Sequence, residues 1–336
     1  MVSIILQMNN FHHQHTAHCE TGVMSTLLKS QGIDFNEAMV FGLASALTFV
    51  YLPIIKISGM PLISYRMPPK SIITKVAKLL KVRLKIQKFS SEIEGQKALD
   101  EALNQGKLVG LQTSVFWLPY FPPEMRFHFN AHNLLVYGKE QRDYLISDPV
   151  FETVQRCAEE DLQKARFAKG ALAAKGLMYY YLETLPNQTA LDLSSMLRKV
   201  IRKQAKQMLT PLPFVGVKGI RLVAKSIEKL AFCKKSEKFK KLYLGHIVRM
   251  QEEIGTGGAG FRYIYAYFLE QAAEICQEPK FKQASEQLTQ IGDLWREFAS
   301  LCVKQCRKPS VDGYKETAEF LRGIAEREQG LWEILV

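Results

Sequence analysis

Hydrophobic periodicity changes once along this chain, near residue 186, and nothing else in the sequence restricts the fold as much. Upstream, stretches that alternate apolar and polar residues are interleaved with stretches of helical period. From about Asp192 onward only helical period remains. With 336 residues the chain is long enough for two cores. Residues 1–186 are therefore expected to form an α+β domain with an antiparallel sheet, and residues 187–336 an all-α domain.

In the first half, Val23, Met24, Leu27 and Leu28 fall at helical spacing just after Cys19, and Gly32 marks a stop. Asp34, with Glu37 three residues on, reads as a capping box that opens a second helix. The uncharged run 38–55 sits at the lower edge of membrane-spanning length. It contains Gly42, Ser45, Thr48 and Pro53, and a buried core helix is expected there. Strands are expected at 82–89, 108–114, 132–138, 143–148 and 176–183, and a helix at 91–104. The short 139–142 connection makes 132–138 and 143–148 an antiparallel hairpin. In the second half, helical patterns occupy 194–208, 219–232, 237–254, 261–277, 280–306 and 312–334. Pro211, Pro213, Pro279, Pro309, Gly216 and the glycine-rich 255–260 separate them.

Composition excludes several classes. Hydrophobic residues at 47% and charged residues at 23% are ordinary for a globular protein. The six cysteines (19, 157, 233, 276, 302 and 306) show no close pairs of zinc-finger type, so a reducing, cytoplasmic setting without a disulfide framework is expected. The opening MVSIILQMNN has no early Lys or Arg, and neither a secretory signal nor an integral membrane segment is expected. The net charge of +12 concentrates in 198–207 and 234–241. Such faces suit nucleic acid, anionic lipid or an acidic protein. No nucleic-acid motif or interleaved stacking aromatics accompany them, so no nucleic-acid partner is expected.

The chemistry is carried by order and spacing. Cys19 begins a helix, where N-terminal N–H groups and the macrodipole favour a thiolate and can stabilise an oxyanion. A thiol nucleophile also needs a base, and the base needs a third group to fix its tautomer. His132 starts one strand of the hairpin and Asp148 ends the other, so the hairpin sets their ends side by side.

Cys at a helix start, then H-x-L-L-V-x-G, then Y-x-I-x-D-P is an order that resembles the papain-type fold used by bacteriocin-leader peptidases. A closer resemblance is to the butirosin-biosynthesis acyltransferase family (BtrH N-terminal-like). It is carried by HCETGVMSTLLKSQGIDFNEAMVFGLASALTF (18–49), FHFNAHNLLVYG (127–138) and LISDPVF (145–151). GTGGAGFRYIYAYFLEQAAE (255–274) resembles the helical C-terminal domain that accompanies that family. The resemblance implies a papain-like first domain and an enzyme of specialised-metabolite biosynthesis. Such an enzyme takes an acyl or aminoacyl group from an acyl carrier protein thioester and passes it to a small-molecule amine. It implies Cys19 as nucleophile, His132 as base and Asp148 as the group orienting it. The phosphopantetheine-borne thioester is substrate, and no metal or other cofactor is expected. Papain-type enzymes place a Gln six residues before the Cys. Here His13 stands there with Gln14 beside it, and the resemblance implies that one of them donates to the oxyanion alongside the Cys19 N–H.

Two other readings of the same residues stand beside transfer. One is a cysteine peptidase or thioesterase that uses the same three groups with water as acceptor. The other is a non-catalytic carrier-protein or lipid-binding module built on the basic helical half. The cluster His12, His13, His15, His18, with Cys19 as a possible further ligand, is irregularly spaced for a metal site, and none is expected. His18 and His128 are candidates to line the substrate cleft; His128 would share a side with His132 on an extended strand. The loop bearing Gly257 and Gly258, with Arg262 in the following first turn, reads either as a cradle for the phosphate of a phosphopantetheine arm or as a turn with tight helix packing.

Overall fold

The computed structural model describes residues 11–57, 59–181 and 192–336. They divide into two compact units, one holding residues 11–40 and 72–181, the other Phe41–Ser71 and Asp192–Val336. The expected boundary near residue 186 and the end of the expected strand 176–183 lie outside the described residues.

The elements in chain order begin with α1 (Cys19–Lys29), α2 (Glu37–Leu43), β1 (Leu47–Ile57), β2 (Met60–Arg66) and α3 (Ser71–Leu79). Next come β3 (Leu84–Gln87), α4 (Glu92–Asn104), β4 (Val109–Thr113), β5 (His132–Glu140), β6 (Asp143–Ser147), β7 (Gln155–Ala158), α5 (Glu159–Arg166) and β8 (Met178–Tyr181). The remaining elements are helical: α6 (Leu193–Met208), α7 (Gly216–Leu230), α8 (Glu237–Glu252), α9 (Arg262–Cys276), α10 (Pro279–Arg307) and α11 (Val311–Ile334).

The first unit is a six-stranded sheet in the order β3-β8-β4-β5-β6-β7, with every pair antiparallel. Period-two alternation gives it two apolar faces. One face presents Leu111, Leu134, Val136 and Ile146 to Leu99 and Leu103 of α4 and Leu162 of α5. Helix α1 packs on the opposite face, where the Tyr181 hydroxyl reaches the Met24 sulfur and the Tyr179 hydroxyl donates to Asn133.

A register shift in the β5–β6 hairpin decides the site. Glu140 pairs with Asp143 and Gly138 with Leu145, but Val136 pairs with Ile146 and Leu135 with Ser147, leaving Tyr137 as the extra residue. Continued one step, the shifted register opposes Asp148 to Leu134, two residues from His132 and so on the same face. The unshifted register would turn Asp148 to the other face, because one residue of slip inverts a strand.

The run 38–55 is not one core helix. Helix α2 ends at Leu43, Ser45 takes a left-handed backbone (φ 46°), and β1 follows. Val50 and Tyr51 pair with Ser64 and Ile63 of β2 instead, where β-branched and aromatic preference and a strand partner agree. This β1–β2 hairpin belongs to the second unit, although the sequence reading put it in the first domain. The reason is burial: Phe49 and Tyr65 enter the aromatic core around Trp295. Helices α3 and α5 and strand β7 were not foreseen; all are short, although α3 carries Ile72, Ile73, Val76 and Ala77 at helical spacing.

The helical second unit encloses an ion pair. Arg262 and Glu328, both fully buried, meet at 2.9 Å, with the guanidinium between the Tyr65 and Trp295 rings and the Trp295 indole N–H donating to Glu328. Gly260 has a φ of 56° and lies against the Tyr65 ring, so both its backbone and its contacts require glycine. Among the described residues no helix is long and apolar enough to cross a membrane.

Gly22 sets how closely α1 approaches the chain after Asp148. The Thr16 N–H donates to the Pro149 carbonyl at 2.7 Å, and a Cβ on Gly22 would lie 2.7 Å from Pro149 Cβ. Gly22→Ala is expected to destabilise the protein by about 1–3 kcal/mol through this overpacking, read as a lowered Tm in a thermal melt.

Candidate active site

Helix α1 starts at Cys19 because His18 caps it. The His18 Nδ1 accepts from the Thr21 N–H at 3.4 Å and lies 3.0 Å from its hydroxyl. The approach to this cap is held by Glu37, whose two carboxylate oxygens accept the Ala17 and His18 N–H groups, each at 3.1 Å. Burial raises the Glu37 carboxyl above its ordinary value, while these two donors and His15 act the other way. Glu37 therefore does not close the expected capping box. Asn36 accepts the Met39 N–H, as an N-cap does, and Glu37 reaches across to the Cys19 segment.

His132 is placed by the chain that leads into β5. Gln112 donates to the carbonyls of Asn130 and Leu172, and Asn130 donates to those of Lys169 and Ala171. The imidazole is 4% exposed and Asp148 is fully buried, with His132 Nε2 and Asp148 Oδ2 2.7 Å apart. A carboxylate only accepts, so Nε2 carries the proton and Nδ1 is left to face the thiol. Cys19, 8% exposed, hydrogen-bonds this ring. The three residues expected from the sequence are thus brought into one line.

The electrostatics favour a charged pair. Burial alone works against an imidazolium, but the Asp148 carboxylate and the Cys19 sulfur more than offset it and raise His132 to about 10. Asp148 Oδ1 accepts the Val150 N–H at 3.3 Å, and Oδ2 accepts a second donor, the Tyr120 hydroxyl, at 2.8 Å. Phe121 stands edge-on to His132, and Phe151 packs against both Phe121 and Tyr120, so the pair lies behind an aromatic wall. Tyr120 was not foreseen. It sits in the long β4–β5 connection, where neither period nor motif marks it.

The other candidates fall elsewhere. Both His13 ring nitrogens are engaged, with the Ser147 hydroxyl at 2.7 Å and the Phe151 carbonyl at 2.8 Å, so its single ring N–H is spent on a carbonyl and His13 does not serve an oxyanion. Gln14 is half-buried and its amide bonds to no described residue, which leaves it available. His18 is a helix cap and not a cleft residue. His128 precedes β5, is exposed, and stacks on Phe116 at 4.1 Å; the strand begins only at His132, so the two do not share a strand side. In the 255–260 loop the Gly258 N–H donates to Thr256 and the Ala259 N–H to the Glu252 carboxylate, while Arg262 is spent on Glu328. A carboxylate in that position excludes a phosphate cradle at Gly257 and Gly258, and the loop is a packing turn. No group of three or more His, Cys, Asp or Glu among the described residues is arranged to hold a metal ion.

A thiol at a helix start, an imidazole and a buried carboxylate, brought together on an antiparallel sheet, have the arrangement of a papain-like cysteine-enzyme fold. Two families match parts of the chain. Residues 18–149 match the family described as "Butirosin biosynthesis protein H, N-terminal". Residues 160–335 match "Domain of unknown function (DUF4872)", just over half of the chain, and the chain belongs to that family. A crystal structure described as a "putative C39-like peptidase from Bacillus anthracis" is similar at 14% identity and a TM-score of 0.37, covering 53% of this chain and 98% of that one. A comparison with curated proteins gives no match.

Because His132 is raised from 6.5 to about 10 in the folded protein, its protonation favours folding. That contribution is complete below pH 6.5 and is lost as pH rises through about 10. Asp148→Asn removes the carboxylate that sustains it. The Tm gap between wild type and this variant is expected to narrow as pH is raised towards 10. Alkylation of Cys19 by iodoacetamide at neutral pH is expected to slow by about 10-fold or more in the variant.

Proposed function

We propose that this protein is a cysteine-dependent acyltransferase, moving an acyl or aminoacyl group from a carrier-protein thioester to an amine through an acyl-Cys19 intermediate. The observation that carries this reading is the buried Cys19–His132–Asp148 line at the start of α1. The Cys19 thiolate attacks the thioester carbonyl and the tetrahedral oxyanion forms at the positive end of α1, where the Cys19 N–H, with the Gln14 amide as second donor, would stabilise it. As that intermediate collapses, the carbon–sulfur bond to the phosphopantetheine arm breaks and His132 gives its Nδ1 proton to the departing thiolate. The amine then attacks the acyl-cysteine, His132 accepts the amine proton, and Cys19 leaves as a thiolate beside the re-formed imidazolium. The donor is already activated, so the chemistry calls on nothing beyond these side chains.

One consideration favours an amine over water as acceptor: the butirosin family named in the match is a biosynthetic one. A cytoplasmic setting suits a reduced Cys19.

The test is intact-protein mass spectrometry after mixing with an acyl-loaded carrier protein. One acyl mass on the Cys19 peptide is expected, discharged as an amide when a primary amine is added. Cys19→Ala is expected to lower transfer by about 1,000-fold or more. Full transfer by that variant would sink the mechanism. Free acid formed at the same rate with and without amine would identify a hydrolase instead.

A further inference from the structure

Among the described residues, Tyr120 is the one side chain besides His132 that donates to the Asp148 carboxylate, and it shares the same oxygen. Oδ2 of Asp148 lies 2.7 Å from His132 Nε2 and 2.8 Å from the Tyr120 hydroxyl, while Oδ1 takes the Val150 N–H. We propose that Tyr120 is a positioning residue that competes with His132 for Asp148 Oδ2, holding the carboxylate in line and keeping the imidazolium acidic enough to protonate a departing thiolate. The inference rests on the acyl-transfer reading for its consequence in turnover, but not for its effect on His132.

A fully buried Asp148 bonded only to His132 would place most of its charge on one N–H donor and bind the proton there tightly. An imidazolium held so firmly is a poor general acid, because proton transfer is most efficient from a group titrating near the working pH. A second donor on Oδ2 draws part of that charge away. Tyr120 suits the part because its hydroxyl stays protonated: burial first, then the Asp148 charge, hold it well above the ordinary phenol value. It therefore remains a neutral donor through the whole cycle and never takes the proton itself. Its ring is fixed edge-on to Phe151 and tilted against Phe121, so the hydroxyl is held without Asp148.

The titratable surroundings leave this arrangement intact. Cys19 and Asp148 act on His132, and Asp148 and Cys157 act on Tyr120. Burial pushes the Cys157 thiol up to about 12, so it is neutral in the working range. On the other face, Glu20 and Cys19 act on Tyr179, itself raised well above the ordinary phenol value chiefly by burial.

The experiment uses the full chain carrying Tyr120→Phe, which keeps the ring and its packing. His132 is titrated by NMR, and Cys19 alkylation and acyl transfer are followed against pH. The His132–Asp148 unit is expected to titrate about one pH unit higher in the variant. At neutral pH kcat is expected to fall by about 5- to 30-fold with KM unchanged, and the alkaline limb to move upward. In an Asp148→Asn background the same substitution is expected to change neither titration nor rate, since its effect passes through the carboxylate. An unshifted His132 titration in Tyr120→Phe, or an equal loss of rate at every pH with no movement of the profile, would overturn the proposal. If wild type forms no acyl-Cys19 while the titration still shifts in the variant, the acyl-transfer reading fails and the role of Tyr120 stands.

Discussion

The hydrogen bond between His132 and Asp148 is the constraint around which the first unit is arranged. Both groups are buried, and a buried carboxylate without donors costs several kcal/mol. The structure meets that cost with three donors, from His132, Tyr120 and the Val150 backbone. Each depends on something larger. His132 needs the Gln112 and Asn130 anchors ahead of β5, Asp148 needs the register shift at Tyr137, and Tyr120 needs the aromatic packing of the β4–β5 connection. The thiol end is held separately, by the His18 cap and the Glu37 carboxylate. Two locally specified pieces, a capped helix and a shifted hairpin, therefore meet at one imidazole.

The second unit contains a buried ion pair of a different character. Arg262 and Glu328 are enclosed by Trp295, Tyr65 and Trp332, and the Gly260 carbonyl and two indole N–H groups add hydrogen bonds to the pair. Both members are fully buried and bonded to neighbours in the same core, so the pair acts as a structural tie. The His132–Asp148 pair differs in one respect. The imidazole Nδ1 faces a titratable thiol, so the charge of the pair can be discharged and restored by moving one proton between nitrogen and sulfur. Burial and ion pairing are common to both; the presence of a nucleophile at the second ring nitrogen makes only one of them chemical.

Much of this was legible in the sequence where the signal was local. Helix α1 followed from Val23, Met24, Leu27, Leu28 and the Gly32 stop, and the β5–β6 hairpin from two alternating runs with a short connection. The six long helices of the second half were clear for the same reason: a sustained 3.6 period reports a face to be buried, whatever buries it. The 38–55 run misled because absence of charge signals burial without stating secondary structure. A helix, a left-handed turn at Ser45 and a strand are all compatible with it. Glu37 misled because a capping box and a long-range carboxylate clamp share one local pattern. Arg262 and the glycine loop misled because a basic residue after glycines describes a phosphate site and a buried ion pair equally well.

The sequence by itself determined that Cys19 opens a helix and that His132 and Asp148 bracket a hairpin, since period, capping and turn length act over a few residues. Only the tertiary structure decided that the three share one line. A one-residue register shift turned Asp148 to the face of His132, and the packing of α1 on the sheet carried Cys19 to the imidazole. Tertiary contacts also decided which histidines, glycines and arginines were left for chemistry. His13, His18, Gly258 and Arg262 had their hydrogen bonds claimed by partners distant in sequence or by the needs of a helix end, and Tyr120 was brought to Asp148 from a connection with no period of its own. Local sequence fixes which way a side chain leaves its own element, but the partner it meets depends on which other elements are packed there.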